Sequence, residues 1–355
     1  MTLYELLVSS SRAGLNLQNR ETGEMPAGHN GLYRDPETPV RNTGHWLMLF
    51  LKAHQISGED NFLKASEKAL GYLMSRDARP VGATFYHRMN PEKDACNGLI
   101  GQAWSIEALV QAGQQLEREE CLTLAREVFL LHPFDSETGI WQRVAVDGMH
   151  LPIDETFNHQ LWFAAAASPL MNQSEEIHRQ VERFLEMLSE NLKIYSSGLI
   201  YHHLPLRSST RQRLREIRRM VAGSPAERQA VRRKAIGYHL FNLYGFAMLC
   251  ESFPEHHFWQ SERFKKVLEY ASSDEFRNDL VDNPYAYPYN PPGFEMALSM
   301  ERFGFGSRTA QQGWLREQIA RCYNRETSLM DRGSEDAATH SARLYEAVRL
   351  PDMEI

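Results

Sequence analysis

The chain has 355 residues, 42% hydrophobic and 24% charged, with a formal net charge of −7. A chain this long buries a sizeable core without disulfides or metals, and its four cysteines (Cys96, Cys121, Cys250, Cys322) are scattered, with no CxxC pair. No run approaches the apolar length of a membrane span, and "MTLYELLVSSSRAG" lacks the basic start of a signal peptide, so the expectation is a cytoplasmic protein with no membrane partner.

Taken in order, the segments read as helices of two kinds. "RNTGHWLMLFLKAH" from Arg41 is apolar nearly all round, whereas "NFLKASEKALGYLM" is amphipathic, with Phe62, Leu63, Ala65, Ala69, Leu70, Leu73 and Met74 on one side. "NGLIGQAWSIEALVQAG" from Asn97 and "DETFNHQLWFAAAAS" from Asp154 are again apolar. "EEIHRQVERFLEMLSENL" is amphipathic through Ile177, Val181, Phe184, Leu185 and Leu188. Three more apolar segments follow: "GYHLFNLYGFAMLCES" from Gly237, "PGFEMALSMERFG" from Pro292 and "DAATHSARLYEAV" from Asp336.

A helix that is apolar all round needs burial on every side, and an amphipathic one needs a wet face. Six of the first kind alternating with the second predict six helical hairpins in a closed double ring, an all-α (α/α)6 toroid over residues 1–355. An open α-solenoid is the competing plan; the count of six and the polar residues shared by the helix starts favour the ring. The first three starts lie about 55 to 60 residues apart, but about 80 separate the third and fourth. The excess is a basic insertion at 207–235, with ten Arg or Lys against two Glu, a local charge of +8 that leaves −15 for the rest. It reads either as a solvated helix at a contact between copies in a homo-oligomer, or as a basic lid over a mouth for an anionic ligand. Nucleic acid is not expected, because no aromatics interleave with these arginines.

In such a ring the inner helices run parallel, and their N-termini, with free N–H groups and positive partial charge, share one mouth. Arg41, His45, Trp46, Asn97, Gln102, Trp104, Asn158, His159, Tyr238, His239, Glu295 and His340 then become pocket candidates. Aromatics, amides and imidazoles of this kind suit a sugar or oligosaccharide. The proline-tyrosine stretch "NPYAYPYNPPGFEMAL" is predicted to present Tyr287 and Tyr289, with Tyr285, as a sugar platform. Asp154 reads as an N-cap or as a pocket acid, because Asp154, Asn158 and Trp162 share one helical stripe. Asp94 stands at the matching point one hairpin earlier, and two carboxylates on one pocket permit proton work at a glycosidic bond.

At "IDETFNHQLWFAAAAS" the chain resembles the six-hairpin glycosidases, above all the unsaturated uronyl hydrolases. More distantly it resembles the N-acylglucosamine 2-epimerase-like toroids. The first resemblance implies a glycoside hydrolase acting on an acidic or unsaturated uronyl oligosaccharide, with Asp154 as general acid/base and Asp94 as the second carboxylate. The second implies an epimerase or isomerase using pocket histidines, here His239 and His340. A carbohydrate-binding protein without catalysis is the third reading. No cofactor is expected, since neither GxGxxG nor GxxxxGK[ST] occurs, and no metal, since no HExxH-type spacing occurs.

Overall fold

A computed structural model describes residues 1–205 and 224–355. Helices α1 (Leu3–Leu15), α2 (Val40–Ser57), α3 (Asp60–Leu73), α4 (Gly98–Gln115) and α5 (Glu119–Leu130) come first. A small antiparallel sheet follows, β1 (Phe134–Asp135), β2 (Ile140–Val144) and β3 (His150–Ile153), in that order. Then come α6 (Phe157–Ala167), α7 (Glu175–Glu186), α8 (Leu188–Asn191), α9 (Pro225–Gly237), α10 (His239–Ser252), α11 (Glu262–Ala271) and α12 (Asp274–Asp279). The last are α13 (Pro292–Phe303), α14 (Arg308–Cys322) and α15 (Ala337–Ala342), which runs on as a 3₁₀ turn, Arg343–Ala347.

The fold is the all-α toroid. The inner helices α2, α4, α6, α10, α13 and α15 with its 3₁₀ turn each pack on the next, and the last packs back on α2. Every residue from His239 to Cys250 of α10 is buried. In α7 only Ile177, Gln180, Val181, Phe184 and Leu185 are, a stripe at three- and four-residue spacing. The two patterns separate inner from outer positions, because only a helix with neighbours all round can hide an apolar surface all round. Among the described residues no helix follows the sixth inner segment. Instead α1, from the other end of the chain, stands outside α2 and is tied to the C-terminus, with Leu3 N–H donating to the Met353 carbonyl at 2.9 Å and Ile355 N–H to that of Met1 at 3.1 Å. Among the described residues no helix is long and apolar enough to cross a membrane.

Two local features position the site. The sheet between α5 and α6, which the sequence pattern does not announce, places Arg143 beside the start of α4. The described part of the basic insertion forms the end of the link into α10: α9 starts at a capping box, Ser224 with Glu227, and carries Lys234 in its last turn. Residues 207–223 lie outside the described part, and with them Arg211, Arg215 and Arg218.

Candidate active site

The N-terminal ends of the inner helices open onto a cavity of about 180 Å³. Ile100, Trp104 and Phe241 give it apolar surface. One polar wall comes from Asn97, Thr156, Asn158, His159 and His202, and another from Asn30, Tyr33, Tyr238 and Tyr289. Arg41, Arg88, Lys93, Lys234 and Arg343 contribute five cations against one acid, Asp35.

The first wall is built around the start of α4. Asn97 and Gly98 both have positive φ, 56° and 59°. This tight turn turns the first free amides of α4 toward two carboxylates: Gly98 N–H donates to Asp94 Oδ1 at 2.8 Å and Leu99 N–H to Asp154 Oδ2 at 3.0 Å. A helix N-terminus favours negative charge at just this point. Residue 98 must be glycine, because a Cβ there would lie 2.5 Å from Asp154 Oδ2 and 3.1 Å from His159 Nδ1.

Asp94 and Asp154 thus stand side by side, but neither lines the cavity. Asp94 is held by Arg143 at 2.6 Å, with Arg88 at 3.7 Å. Asp154 accepts from Leu99 N–H, from Thr156 N–H at 3.2 Å and from His159 Nδ1 at 2.8 Å. Burial pushes its carboxyl up, but His159 and the two amides outweigh burial and hold it down at about 2. The predicted stripe of Asp154, Asn158 and Trp162 does not form. Helix α6 begins only at Phe157, so Asp154 sits in the preceding turn and helical spacing does not apply to it. Trp162 is buried in the core, stacked on Phe241 and Tyr244, with its Nε1 donating to the Phe241 carbonyl at 3.0 Å.

What Asp154 does is orient His159. With Nδ1–H donating to the carboxylate, the neutral form of the ring is held in the tautomer that has its lone pair on Nε2; His159 is partly exposed and lines the cavity. Beside it Asn158 is buried, and neither its Oδ1 nor its Nδ2 has a partner. A buried amide without partners, on the wall of a cavity, is a vacant pair of hydrogen bonds for a ligand or water. His202 has a buried, unpartnered Nδ1 as well, and burial, with Lys234 next, lowers its pKa well below the usual value, so it stays neutral.

The cations divide by what they already hold. Arg343 spends all five N–H donors: Nε and Nη2 on Glu346, Nη2 also on Glu295, and Nη1 on the Tyr289 carbonyl and Asn290 Oδ1. Lys93 and Arg88 share Asp35, at 3.1 and 3.2 Å. Arg41 lies 4.1 Å over the Trp104 ring and pairs with Glu37 at 3.2 Å, leaving Nε unpartnered. Lys234 has no acidic partner among the described residues; it hangs over the rings of Tyr33 and Tyr238, at 5.5 and 5.8 Å. Burial, and then Lys93, lower its pKa.

Of the residues predicted from sequence, Arg41, Asn97, Trp104, Asn158, His159, Tyr238 and Tyr289 lie on the cavity. The others do not, for identifiable reasons. His45 is stacked on Tyr345 behind Trp104, with ring centroids 3.9 Å apart. Trp46 faces outward onto Gly14 of α1. Gln102 is spent on the Phe85 backbone and the Cys96 carbonyl. His239 is closed on both sides, accepting from Ile200 N–H at 3.3 Å and donating to the Val267 carbonyl at 3.2 Å. His340 is bonded to Ser334 below the Gly31 loop, Glu295 is buried with Arg343, and Tyr287 turns away to Arg321, 4.9 Å from its ring. Sequence reasoning missed Asn30, Tyr33, Asp35, Arg88, Lys93, His202, Lys234, Asn290 and Arg343, mostly single polar residues in loops with no periodic signal.

The chain is 47% identical over 369 aligned positions to archaeal glycosylation protein Q of Haloferax volcanii, covering 100% of this chain and 99% of that protein. It belongs to the archaeal glycosylation protein Q family. No protein-family model matches it. Solved structures share its six-hairpin toroid. Cellobiose 2-epimerase from Bacillus thermoamylovorans B4167 superposes with a TM-score of 0.64 at 11% identity, over 95% of this chain and 94% of that one. A D-mannose isomerase gives 0.65 at 12%, over 98% and 96%. An unsaturated glucuronyl hydrolase specific for heparin gives 0.61 at 11%, also over 98% and 96%. Identities this low speak for the fold alone, and the structures that share it include both an epimerase and a hydrolase.

Proposed function

We propose that this protein processes a sugar as an isomerase or epimerase, with His159 as its base and an anionic sugar as its substrate. The observation that carries the proposal is the His159–Asp154 pair, 2.8 Å apart, with the imidazole on the cavity and the carboxylate behind it. A neutral imidazole fixed in one tautomer can take the proton from the carbon beside a sugar carbonyl. The electron pair moves to the carbonyl oxygen and gives an enediolate; a proton returned to the other face of the same carbon gives the epimer, and a proton added to the former carbonyl carbon, with transfer of the neighbouring hydroxyl proton to its oxygen, gives the isomer. The positive charge on the imidazole is then met by Asp154, the role a buried carboxylate has behind a catalytic histidine. Lys234, which lines the cavity without an acidic partner among the described residues, supports a negatively charged substrate and can stabilise a developing oxyanion. The name of the relative, a glycosylation protein, supports a sugar.

The two-carboxylate hydrolase has less support. Glycoside hydrolysis needs a carboxyl that keeps its proton until it meets the leaving oxygen. Asp154, held at about 2, has lost that proton at any ordinary pH, and Asp94 is closed off by Arg143 and Gly98.

The test is product analysis by NMR in D2O. Aldoses, hexuronates, cellobiose, and saturated and unsaturated uronyl oligosaccharides are offered to wild type and His159→Asn. Wild type should exchange the hydrogen next to the carbonyl of one free sugar for deuterium, and His159→Asn should slow that by roughly 10² to 10⁴-fold. Hydrolysis of an oligosaccharide that persists in His159→Asn would overturn the proposal.

A further inference from the structure

The second wall contains a chain of hydroxyls whose direction can be worked out. Arg41 Nη1 lies 3.0 Å from the side chain of Asn30. A guanidinium only donates, so the Asn30 atom facing it is the oxygen. Tyr289 Oη is 3.2 Å from the same oxygen and must donate to it. Its one hydrogen is then spent. In the pair of Tyr238 and Tyr289, 3.0 Å apart, Tyr238 is therefore the donor. By the same count, Tyr33 donates to Tyr238 across 3.1 Å. Tyr33 is left with lone pairs only. Burial raises the pKa of all three phenols, so no member of the chain ionises near neutral pH.

We infer that Tyr33 is a specificity-determining residue, an obligate acceptor for one hydroxyl of the substrate, with its polarity set from Arg41 through Asn30, Tyr289 and Tyr238. Tyr33 is half-buried and lines the cavity beneath the Lys234 ammonium, which can only donate. Acceptor and donor therefore stand side by side, matched to a hydroxyl next to an anionic or electron-rich oxygen. A group that cannot donate to Tyr33 leaves a desolvated lone pair facing an acceptor, which is penalised more than a missing neutral contact. Tyr238 and Tyr289 act through Tyr33 and are positioning residues for it. The inference rests on the reading of the cavity as a sugar site, but not on the chemistry of His159.

The test uses binding, not turnover. D-glucuronate and D-mannose, with their 2-, 3- and 4-deoxyfluoro analogues, are titrated calorimetrically into wild type, Tyr33→Phe, Tyr238→Phe and His159→Asn. Fluorine accepts weakly and cannot donate. Wild type should lose at least about tenfold in affinity for the analogue fluorinated at one position and little at the others. Tyr33→Phe should abolish that discrimination by removing the acceptor. Tyr238→Phe should also reduce it, because Tyr33 is then free to turn its hydrogen toward the cavity; a merely structural role for Tyr238 would weaken all analogues alike. His159→Asn should keep the discrimination whether or not it retains turnover, which separates failure of this inference from failure of the isomerase reading. Equal affinity of wild type for every analogue, or a discrimination that persists in Tyr33→Phe, would overturn it.

Discussion

The two ends of the inner ring treat buried charge differently. At the mouth, Asn158 has no partner for either amide atom, Arg41 has an unused Nε, and Lys234 has no acidic partner among the described residues. At the base, Arg349 joins Glu107 at 2.9 Å and Glu251 at 3.2 Å, and Glu251 also meets Arg302. At the base every buried cation named has an acidic partner, although Glu107 Oε2 and Arg349 Nε make no further hydrogen bond; at the mouth Lys234 has no such partner among the described residues and Asn158 makes neither of its bonds. The first arrangement serves the fold. The second has a cost to the free protein that a ligand can offset. The same test sorts residues within the mouth: His239, Gln102 and Arg343 are complete and hold structure, while His159, Asn158 and Lys234 are not.

The largest effect expected from this contrast is on stability at the base. Arg349→Ala leaves Glu107 buried without its cation, which costs about 3 to 5 kcal/mol. Urea denaturation should show that loss, while the remaining folded protein keeps its preference among the fluorinated sugars. A changed preference would mean the two ends are coupled.

Next comes acid sensitivity among the closed groups of the mouth. Burial lowers the pKa of His239 to about 4 from 6.5. The unfolded chain then takes up the proton first as pH falls, so stability is lost from about pH 6.5 downward and the loss is complete near 4. Two and a half units correspond to roughly 3 kcal/mol. A urea midpoint followed over this range should fall in wild type and fall less in His239→Gln, in which the amide keeps both bonds without titrating. Parallel curves would contradict the closed-histidine reading.

A smaller change joins the two behaviours. Gly98→Ala strains a positive φ and drives a methyl group into Asp154 and His159. It should cost about 1 to 3 kcal/mol, and it should reduce turnover beyond what the lost stability explains. Unchanged turnover would mean that the exact seat of Asp154 is unimportant.

How much of this was legible in the sequence follows from the same physics. The ring was legible because burial all round and burial on one face write different patterns into a helix, as α10 and α7 show. The outer place of α1 was not, because a ring closes in space between residues that are farthest apart in the chain. At the site, Asn97, Asn158 and His159 were legible as residues near helix starts. The stripe of Asp154 with Asn158 and Trp162 was misplaced because helical spacing was extended three residues beyond the real start of α6. The tyrosine wall was partly visible as Tyr238 and Tyr289, but its direction depends on Arg41 through Asn30, and on Asn30 and Tyr33, which meet those tyrosines across 205 or more residues of chain. Single loop residues such as Asp35 and Lys93 carry no period, and only the fold brings them together.

The proposed chemistry depends on His159 presenting a bare Nε2 to the cavity while Asp154 holds the proton on Nδ1. The most direct measurement is the ¹⁵N spectrum of histidine-labelled protein at a pH where His159 is neutral, with His159→Asn to assign its signals. Wild type should show a protonated Nδ1 and an unprotonated Nε2, and Asp154→Asn a mixture of tautomers. A proton on Nε2 in wild type, or the same tautomer in both proteins, would contradict that chemistry.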